Sequence, residues 1–210
     1  DPGTDQERTF SDGRPTLYPT TYGFNFGRWF VFDPTTQKTG DGMFAPNQFY
    51  SFRDCLDGSS HTLLTGEVKA WTPYQRNGGP SDTAIPANQA QAELVVASGA
   101  QFKNTGHTEW PDGRCHHTGF TVTLPPNSDV EFETGGQLYE QMDFSSWQEG
   151  KDGQSGNPTY AMITSRSHHV GLVQVARVDG SVSSVTESVE LSIWHALGTR
   201  AGREVIQGEY

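Results

Sequence analysis

The chain has 210 residues, a formal net charge of −11 at pH 7 and a pI near 4.9. Hydrophobic residues make up 33% of it, beside 24 Gly and 12 Pro, which favours a loop-rich β or α+β protein over a helical bundle. Because phosphate contacts require clustered Lys and Arg, the acidic balance disfavours nucleic acid and anionic lipid as partners. No apolar run approaches the roughly 18 residues of a membrane-spanning helix, so we expect no membrane contact by this chain.

The N-terminal stretch, residues 1–19, is polar and interrupted by Gly and Pro, which predicts an extended lead-in or linker. Residues 20–210 then form, by prediction, a single α+β globular domain. The densest aromatic run comes first in it, and the alternation from Tyr22 to Phe26 predicts a half-buried strand. We interpret these aromatic side chains as core and not as a sugar-binding platform.

The loop Asp33–Gly42 follows and contains the first candidate metal ligands. Asp33 and Asp41 bracket it, and carboxylate and backbone oxygens suit a hard cation such as calcium. The spacing is not that of an EF-hand loop. The alternative is that both are turn aspartates that hydrogen-bond their own backbone.

The middle of the chain predicts a mixture of strands and one helix. We expect a short strand near Gln48–Phe52, a longer strand at Thr62–Trp71 and a loop at Tyr74–Pro86. Asn88 is a good N-cap residue for a helix at Gln89–Ala97, which Gly99 would end.

Three predictions follow for the next segment. Thr118–Leu124 alternates as a strand does, and Pro125 and Pro126 break it. Val130–Phe132 predicts a weaker strand. The stretch Thr134–Pro158 is rich in Gly, Gln and Ser, so we expect a long surface excursion there.

The C-terminal quarter has the clearest local signals. Two β-patterned runs, Tyr160–Thr164 and Val170–Val178, precede the turn dipeptide Asp179–Gly180. Asp-Gly between alternating apolar runs predicts a hairpin with a type I′ turn, and Ser181–Val185 is its return strand. A short helix over Val189–Leu197 then places its apolar residues on one face.

Several blocks of this sequence resemble a planctomycete-type family of prepilin-like secreted proteins of unknown function. The blocks read, in family order, TTYGFNFGRWFVFDP, GDGMFAPNQF, DGSSHTLLTGEVKAWTPYQRN, HTEWPDGRCHHTGFTVTLPPN and TYAMITSRSHHVGLVQVARVDGSV. The chain departs from the family pattern at three positions: His61 stands in place of the usual asparagine, and Val170 and Arg203 in place of small residues or glycine.

This resemblance implies a pilin-like head, mainly antiparallel sheet with long loops and one or two short helices, whose N-terminal pilin helix is absent from the chain. It implies an extracellular, periplasmic or cell-surface location. The implied partners are other copies of the chain or pilin-like subunits. In such an exported protein we expect a disulfide between Cys55 and Cys115, with two unrelated thiols as the alternative.

The densest group of chemically useful residues is His107, Glu109, Asp112 and the pair His116 and His117. Imidazole nitrogens and carboxylate oxygens are ligands for zinc or another transition metal, and His169 could join them from its own hairpin. If this stretch is a strand, His107 and Glu109 face the same side, while His116 and His117 face opposite sides. The alternative is that these histidines are structural and bond loop carbonyls and carboxylates.

The sequence is therefore consistent with three classes of function. The leading expectation is a structural or interaction head without catalytic activity, since there is no Gly-x-Ser-x-Gly elbow and no phosphate-binding Gly-rich loop. A second is a solute- or carbohydrate-binding module, in which exposed tryptophans stack on extracellular sugars; the candidates are Trp29, Trp71, Trp110 and Trp147. A third is a metal-dependent hydrolase that uses the histidine and carboxylate cluster, so calcium and zinc are the cofactors to consider.

Overall fold

The computed structural model describes residues 6–80, 82–153 and 156–204, and within them the chain forms twelve strands and three α-helices. The strands are β1 (Tyr22–Asn25), β2 (Phe30–Phe32), β3 (Leu63–Glu67), β4 (Thr72–Arg76), β5 (Gln101–Gly106), β6 (Gly119–Phe120), β7 (Phe132–Thr134), β8 (Gln137–Tyr139), β9 (Asp143–Ser145), β10 (Thr159–Met162), β11 (Leu172–Arg177) and β12 (Val182–Thr186). The helices are α1 (Gln89–Ala97), α2 (Cys115–Thr118) and α3 (Leu191–Gly198). No helix in these ranges has the length and apolar character needed to cross a bilayer.

The strands form two five-stranded sheets, with orders β12-β11-β3-β1-β6 and β2-β10-β9-β4-β5, and the small hairpin β7-β8. Two pairings, β1 with β6 and β4 with β9, are parallel. The others are antiparallel. The expected α+β fold with mainly antiparallel sheet is therefore confirmed, with one short helix more than expected.

The first sheet packs its inner face against α3. Trp194 and Leu197 lie three residues apart and so share one face of the helix, and both are fully buried. They cover a cluster on the sheet that consists of Leu63, Phe120, Val173, Val175 and Val185. The hairpin of β11 and β12 lies where the sequence predicts it, but Gly180 takes a φ of 86° while Asp179 keeps a negative φ, so the turn is not type I′.

The second sheet packs against α1. Asn88 caps this helix, since its side-chain oxygen accepts a 3.0 Å hydrogen bond from the Gln91 backbone N–H, and the predicted helix Gln89–Ala97 is confirmed. Ala92 and Val96, four residues apart, face the sheet and contact a cluster around Trp29, Met142 and Phe144.

The two sheets meet at the C-terminal ends of β6 and β10. Thr121 and Thr164 form an isolated parallel bridge there. A third apolar cluster, which includes Phe26, Val31 and Cys115, fills the region around this junction. Of the aromatic run read as core, Phe26, Trp29 and Phe32 are buried, whereas Tyr22 and Phe24 are exposed on the outer face of β1.

Two loops cross closely beside this junction, at Gly27 and Gly42. A Cβ on Gly42 would lie 2.2 Å from the backbone nitrogen of Gly27 and 2.5 Å from the carbonyl oxygen of Asn25. Gly27 has a φ of 92°, a left-handed conformation that favours glycine. The crossing therefore depends on both glycines.

One prediction in the first half is wrong, and two are confirmed only in part. Gln48–Phe52 holds no strand; the Asp54 carboxylate accepts a 2.7 Å hydrogen bond from the Ser51 N–H and closes a 3-10 turn at Phe52–Asp54. The strand predicted over Thr62–Trp71 is present at Leu63–Glu67 but ends there, and Trp71, with a φ of 60°, directly precedes β4. The predicted loop Tyr74–Pro86 therefore begins inside that strand.

Two further predictions fail between residues 118 and 158. Of Thr118–Leu124, the two residues of β6 are in a strand, because Thr118 already ends α2. The expected excursion Thr134–Pro158 contains β9, whose residues are buried between β4 and β10. The weak strand at Val130–Phe132 is shifted to β7, and Val130 makes an isolated bridge to Gln141.

The expected disulfide is also wrong. Cys55 and Cys115 are both buried and unbonded. They belong to different apolar clusters, Cys55 with Met43 and Val178 and Cys115 with Phe26 and Ile163. The folded chain thus holds the two thiols apart as small apolar groups.

Part of the predicted lead-in contacts the rest of the chain. Arg8 and Leu17 pair as an antiparallel bridge. The carbonyl of Gln6 accepts a 3.0 Å hydrogen bond from the Trp71 indole. Residues 1–5 of the lead-in and residues 205–210 of the predicted domain lie outside the described ranges.

Candidate functional site

The predicted histidine and carboxylate cluster lies at the end of β5, beside α2. His107 directly follows the strand with a φ of 57°, and its N–H donates a 3.0 Å hydrogen bond to the carbonyl of His116. The next residues form a turn, in which the Asp112 N–H donates to the Glu109 carbonyl at 2.9 Å. The chain then enters α2, which carries His116 and His117.

Two arginines hold the two carboxylates of this turn. Arg8, from the lead-in, donates to Glu109 Oε1 and, at 3.1 Å, to the Thr108 hydroxyl. Arg114 donates through Nε to both Asp112 oxygens, at 2.8 and 2.9 Å. His117 Nε2 lies 3.4 Å from the Glu109 Oε1 that Arg8 contacts.

The three imidazoles are buried and poorly satisfied. His117 is 1% exposed, and its ring centroid lies 4.5 Å from that of His116, which in turn packs 4.8 Å from the ring of Tyr74. Both ring nitrogens of His116, Nε2 of His107 and Nδ1 of His117 have no hydrogen-bond partner. Buried polar atoms in proteins are usually paired, so this concentration is unusual.

Burial keeps these imidazoles neutral. Desolvation lowers the pKa of His107 to about 4 and that of His117 to about 2, where the charge of Arg114 adds to the effect. It also lowers the pKa of His116 well below its usual value. Although desolvation opposes it, hydrogen bonding and charge from Arg114 lower the pKa of Asp112 to about 2.

A third carboxyl group, Glu149, borders the cluster. Its Oε1 accepts a 3.2 Å hydrogen bond from the Cys115 N–H, while its Oε2 is enclosed without a partner. Desolvation raises the pKa of Glu149 to about 7, against the opposing hydrogen bond. The cluster thus combines neutral imidazoles with one firmly ionised and one easily protonated carboxyl group.

Part of this cluster has the donors and spacing of a metal site. Ligand atoms of Glu109, Asp112 and His117 all lie within 4.8 Å of one another, the one such group of His, Cys, Asp and Glu in the described part of the chain. Imidazole nitrogen and carboxylate oxygen suit zinc and similar ions. Asp112 completes the group.

The spacing argument holds only if this stretch is a strand, and the structure does not meet that condition. His107 and Glu109 do not alternate along a strand, because β5 ends at Gly106. His116 and His117 do not point to opposite faces of a strand, because they lie on a helix and their rings are in contact. His169 is exposed elsewhere, with its Nε2 3.4 Å from Glu67 Oε1.

The two aspartates predicted for calcium are each occupied within their loop. Asp33 Oδ1 accepts a 2.8 Å hydrogen bond from the Thr35 N–H, and Oδ2 accepts a 2.6 Å bond from the Thr36 hydroxyl. Asp41 accepts at 2.9 Å from the Arg28 N–H and at 2.6 Å from its Nε. The hydroxyl of Thr36 lowers the pKa of Asp33, so its carboxylate is charged.

The four candidate tryptophans have different surroundings. Trp29 is buried, and its indole donates to the Thr83 carbonyl at 3.1 Å, so no ring face is open to a sugar. Trp71 and Trp147 are half-buried. Trp110 is exposed in the turn beside Glu109.

Arg8, Arg114 and Glu149 also belong to the cluster, although they are not among the site residues that the sequence predicts. Arg114 had a readable signal, since Asp112-Gly113-Arg114 is a turn in which the aspartate accepts from the arginine N–H at 3.0 Å. Arg8 lies 101 residues from Glu109, and Glu149 lies 34 residues from Cys115. No local sequence pattern indicates either contact.

A second feature of the described residues is a set of exposed aromatic side chains. Four exposed aromatic side chains are together called the aromatic surface: Tyr22 and Phe24 on β1, and Phe49 and Phe52 in the segment between β2 and β3, with Phe49 98% and Phe52 73% exposed. Phe24 packs on Phe44, with ring centroids 4.5 Å apart, and so links the strand to that segment.

Comparison with known proteins gives one family. A family model with the short name SBP_bac_10, described as "Protein of unknown function (DUF1559)", matches residues 1–192. Neither a curated protein nor a solved structure matches the chain.

Proposed function

Since the chain belongs to the DUF1559 family of proteins of unknown function, we propose a function from the properties of its own surface. The chain is the globular head of a pilin-like, secreted or cell-surface protein. It works by contact with further copies or with related pilin-like subunits and catalyses no reaction.

The aromatic surface carries this proposal. Large aromatic side chains are enriched at protein interfaces, and exposed apolar patches often mark sites of protein–protein contact. Here Phe49 is 98% exposed, although its neighbour Tyr50 is anchored by a 2.8 Å hydrogen bond to Thr39 and by stacking on Arg200. The backbone at Phe49 is thus fixed by its neighbour while its ring projects outward, as in a preformed contact site.

The enclosure of the histidine cluster supports a function without catalysis. A general base must come within about 3 Å of the proton that it removes. His107, His116 and His117 are each about 1% exposed, so a substrate cannot approach their rings without a rearrangement of α2. Arg8 and Arg114 occupy the two more accessible carboxylates.

Sedimentation velocity of the purified chain tests the contact. We expect concentration-dependent association that strengthens with added salt, because salt screens the repulsion between chains of charge −11 and leaves apolar contacts intact. Replacement of both exposed phenylalanines, Phe49→Asp with Phe52→Asp, should abolish association without a change in the far-UV circular dichroism spectrum.

The matched control is Val170→Asp. Val170 is 97% exposed, as Phe49 is, but lies in a different segment of the chain, the turn before β11. It should leave association unchanged. A chain that stays monomeric at every concentration and salt level, or a control that acts like the double variant, would refute the proposed contact.

Location requires its own measurement. Intact cells of the source organism are treated with protease, and the chain is followed by antibody. We expect its loss from intact cells, together with retention of a cytosolic marker. Protection of the chain until lysis would contradict a surface or secreted location.

A further inference from the structure

We propose that Glu109, Asp112 and His117 form a binding site for one divalent transition-metal ion, with zinc as the ion that fits the donors best. This site is independent of the aromatic surface and goes beyond the contact function. It would fasten the Glu109–Asp112 turn to α2.

The first evidence for the metal site is the separation of its ligand atoms. His117 Nε2 and Glu109 Oε1 lie 3.4 Å apart, longer than a usual N–H···O hydrogen bond of about 2.7–3.2 Å. Bonds of about 2.0–2.1 Å from a tetrahedral zinc ion place two ligand atoms about 3.4 Å apart. Asp112 contributes an oxygen within 4.8 Å of both, close enough for a small local shift to complete the set.

An independent observation is the state of the imidazoles. His117 is 1% exposed, its Nδ1 has no partner and its Nε2 faces the carboxylates across that long gap. His116, in ring contact with it, leaves both nitrogens without a partner. Buried imidazoles without partners in a folded protein point to a ligand or ordered water nearby.

The donor set also selects the class of ion. One imidazole nitrogen and two carboxylate oxygens suit zinc, and also manganese, cobalt or iron in the divalent state, better than a soft ion that prefers sulfur. Calcium prefers six to eight oxygens, which three side chains do not supply. The side chains of Glu109 and Asp112 are 13% and 21% exposed, so solvent water can reach them and complete the coordination.

Arg114 competes with such an ion for Asp112, because it donates to both oxygens of that carboxylate. Arg8 competes with the ion for Glu109. Its guanidinium contacts Glu109 Oε1, the same oxygen that faces His117 Nε2. An ion at this oxygen must share it with Arg8 or displace Arg8, and the two positive charges repel each other. Removal of the arginine charge should therefore tighten metal binding, an effect that misfolding cannot produce.

The test uses tag-free protein treated with a chelator and then titrated with zinc by calorimetry. Elemental mass spectrometry gives the stoichiometry, and the visible absorption of cobalt in place of zinc reports nitrogen and oxygen coordination. We expect one equivalent of metal per chain. Glu109→Gln and Asp112→Asn, which keep the side-chain shape, should each weaken binding about tenfold or more.

The gain-of-affinity variant is Arg8→Gln, which we expect to tighten zinc binding about tenfold. The control is His169→Ala, because His169 forms an exposed pair with Glu67 at the same 3.4 Å separation. It should leave stoichiometry and affinity unchanged. The proposal fails if the wild type binds less than one equivalent, if Glu109→Gln and Asp112→Asn bind as the wild type does, or if Arg8→Gln does not tighten binding.

Discussion

Arg166 donates a 2.6 Å hydrogen bond to Oδ1 of Asp143, and the two side chains are 0% and 2% exposed. The same Oδ1 accepts a 3.0 Å hydrogen bond from the Thr164 N–H. The pair thereby ties β9 to the segment that follows β10. A buried ion pair costs much desolvation, so loss of one partner leaves the other charge uncompensated.

We therefore expect Arg166→Met to lower the free energy of unfolding by roughly 3–5 kcal/mol at neutral pH. Urea unfolding measures this directly. Desolvation already raises the pKa of Asp143, and without Arg166 its carboxyl should protonate more readily still. The loss should accordingly be smaller at pH 5 than at pH 8. The control is Arg14→Met in the exposed Asp12–Arg14 pair, which should change stability by about 0.5 kcal/mol or less.

Acid should destabilise the fold through the three buried histidines. Their folded pKa values lie below the ordinary 6.5, at about 4 for His107, about 2 for His117 and well below 6.5 for His116. The unfolded chain therefore binds more protons, and stability that is present above pH 6.5 is lost as the pH falls. Each proton contributes about 1.4 kcal/mol per pH unit. Urea unfolding between pH 7.5 and 4.5 gives the slope, and a flat profile would contradict the buried neutral state.

Glu149 has the opposite effect on how the stability of the fold changes with pH. Its folded pKa of about 7 exceeds the ordinary 4.5, so its contribution is fully present below pH 4.5 and is lost as the pH rises through 7. Near pH 5 it offsets about one of the three histidine protons, which leaves a net slope of about 3 kcal/mol per pH unit. Glu149→Gln should stabilise the fold at pH 8 by up to about 3 kcal/mol and steepen the acid slope. An unchanged slope would show that this carboxyl does not titrate there.

The two cysteines give a chemical prediction. Desolvation raises the pKa of the Cys115 thiol well above its usual value, and the residue is fully buried. A thiol reagent should react with Cys115 only after unfolding, and two thiols per chain should titrate in denaturant without reductant. Reductant should leave the melting temperature unchanged. If no thiols titrate in denaturant, the cysteines are bonded after all.

Gly42→Ala tests the loop crossing. The new methyl group would meet the backbone of Gly27, Phe26 and Asn25 within 2.5 Å, and backbone cannot move aside as a flexible side chain can. We expect a loss of about 3 kcal/mol or more in urea unfolding. Gly113→Ala is the matched control, since a Cβ there would have no neighbour within 4 Å. It should stay within about 0.5 kcal/mol of the wild type.

The elements that could be predicted from sequence are those with local signals. The hairpin of β11 and β12 follows from Asp179–Gly180 between alternating runs, and α1 from Asn88 ahead of an apolar face. By contrast, β9 reads Asp-Phe-Ser in a Gly- and Gln-rich stretch. Its burial depends on Arg166, 23 residues away, so no window around it could indicate a central strand.

The candidate site, too, could be predicted from the sequence only in part. The density of His, Asp and Glu from His107 to His117 was enough to locate the cluster. Its geometry depends on the left-handed φ of His107 and on the helical turn at Cys115–Thr118, whereas the spacing could be interpreted only for the case of a strand. Arg8 enters from 101 residues away and could be found only from the folded chain.

The order of strands in the first sheet also constrains how the chain folds. β1 lies between β3 and β6, β11 pairs with the far side of β3, and β12 pairs with β11, so segments from residue 22 to residue 186 must meet before this sheet is complete. Such distant pairings must be formed at a large cost in chain entropy before they are repaid, which makes folding slow. A ribosome-bound chain that lacks β11 leaves the hydrogen-bonding edge of β3 open. During that interval, edge-to-edge pairing between unfinished chains is the main risk of misassembly.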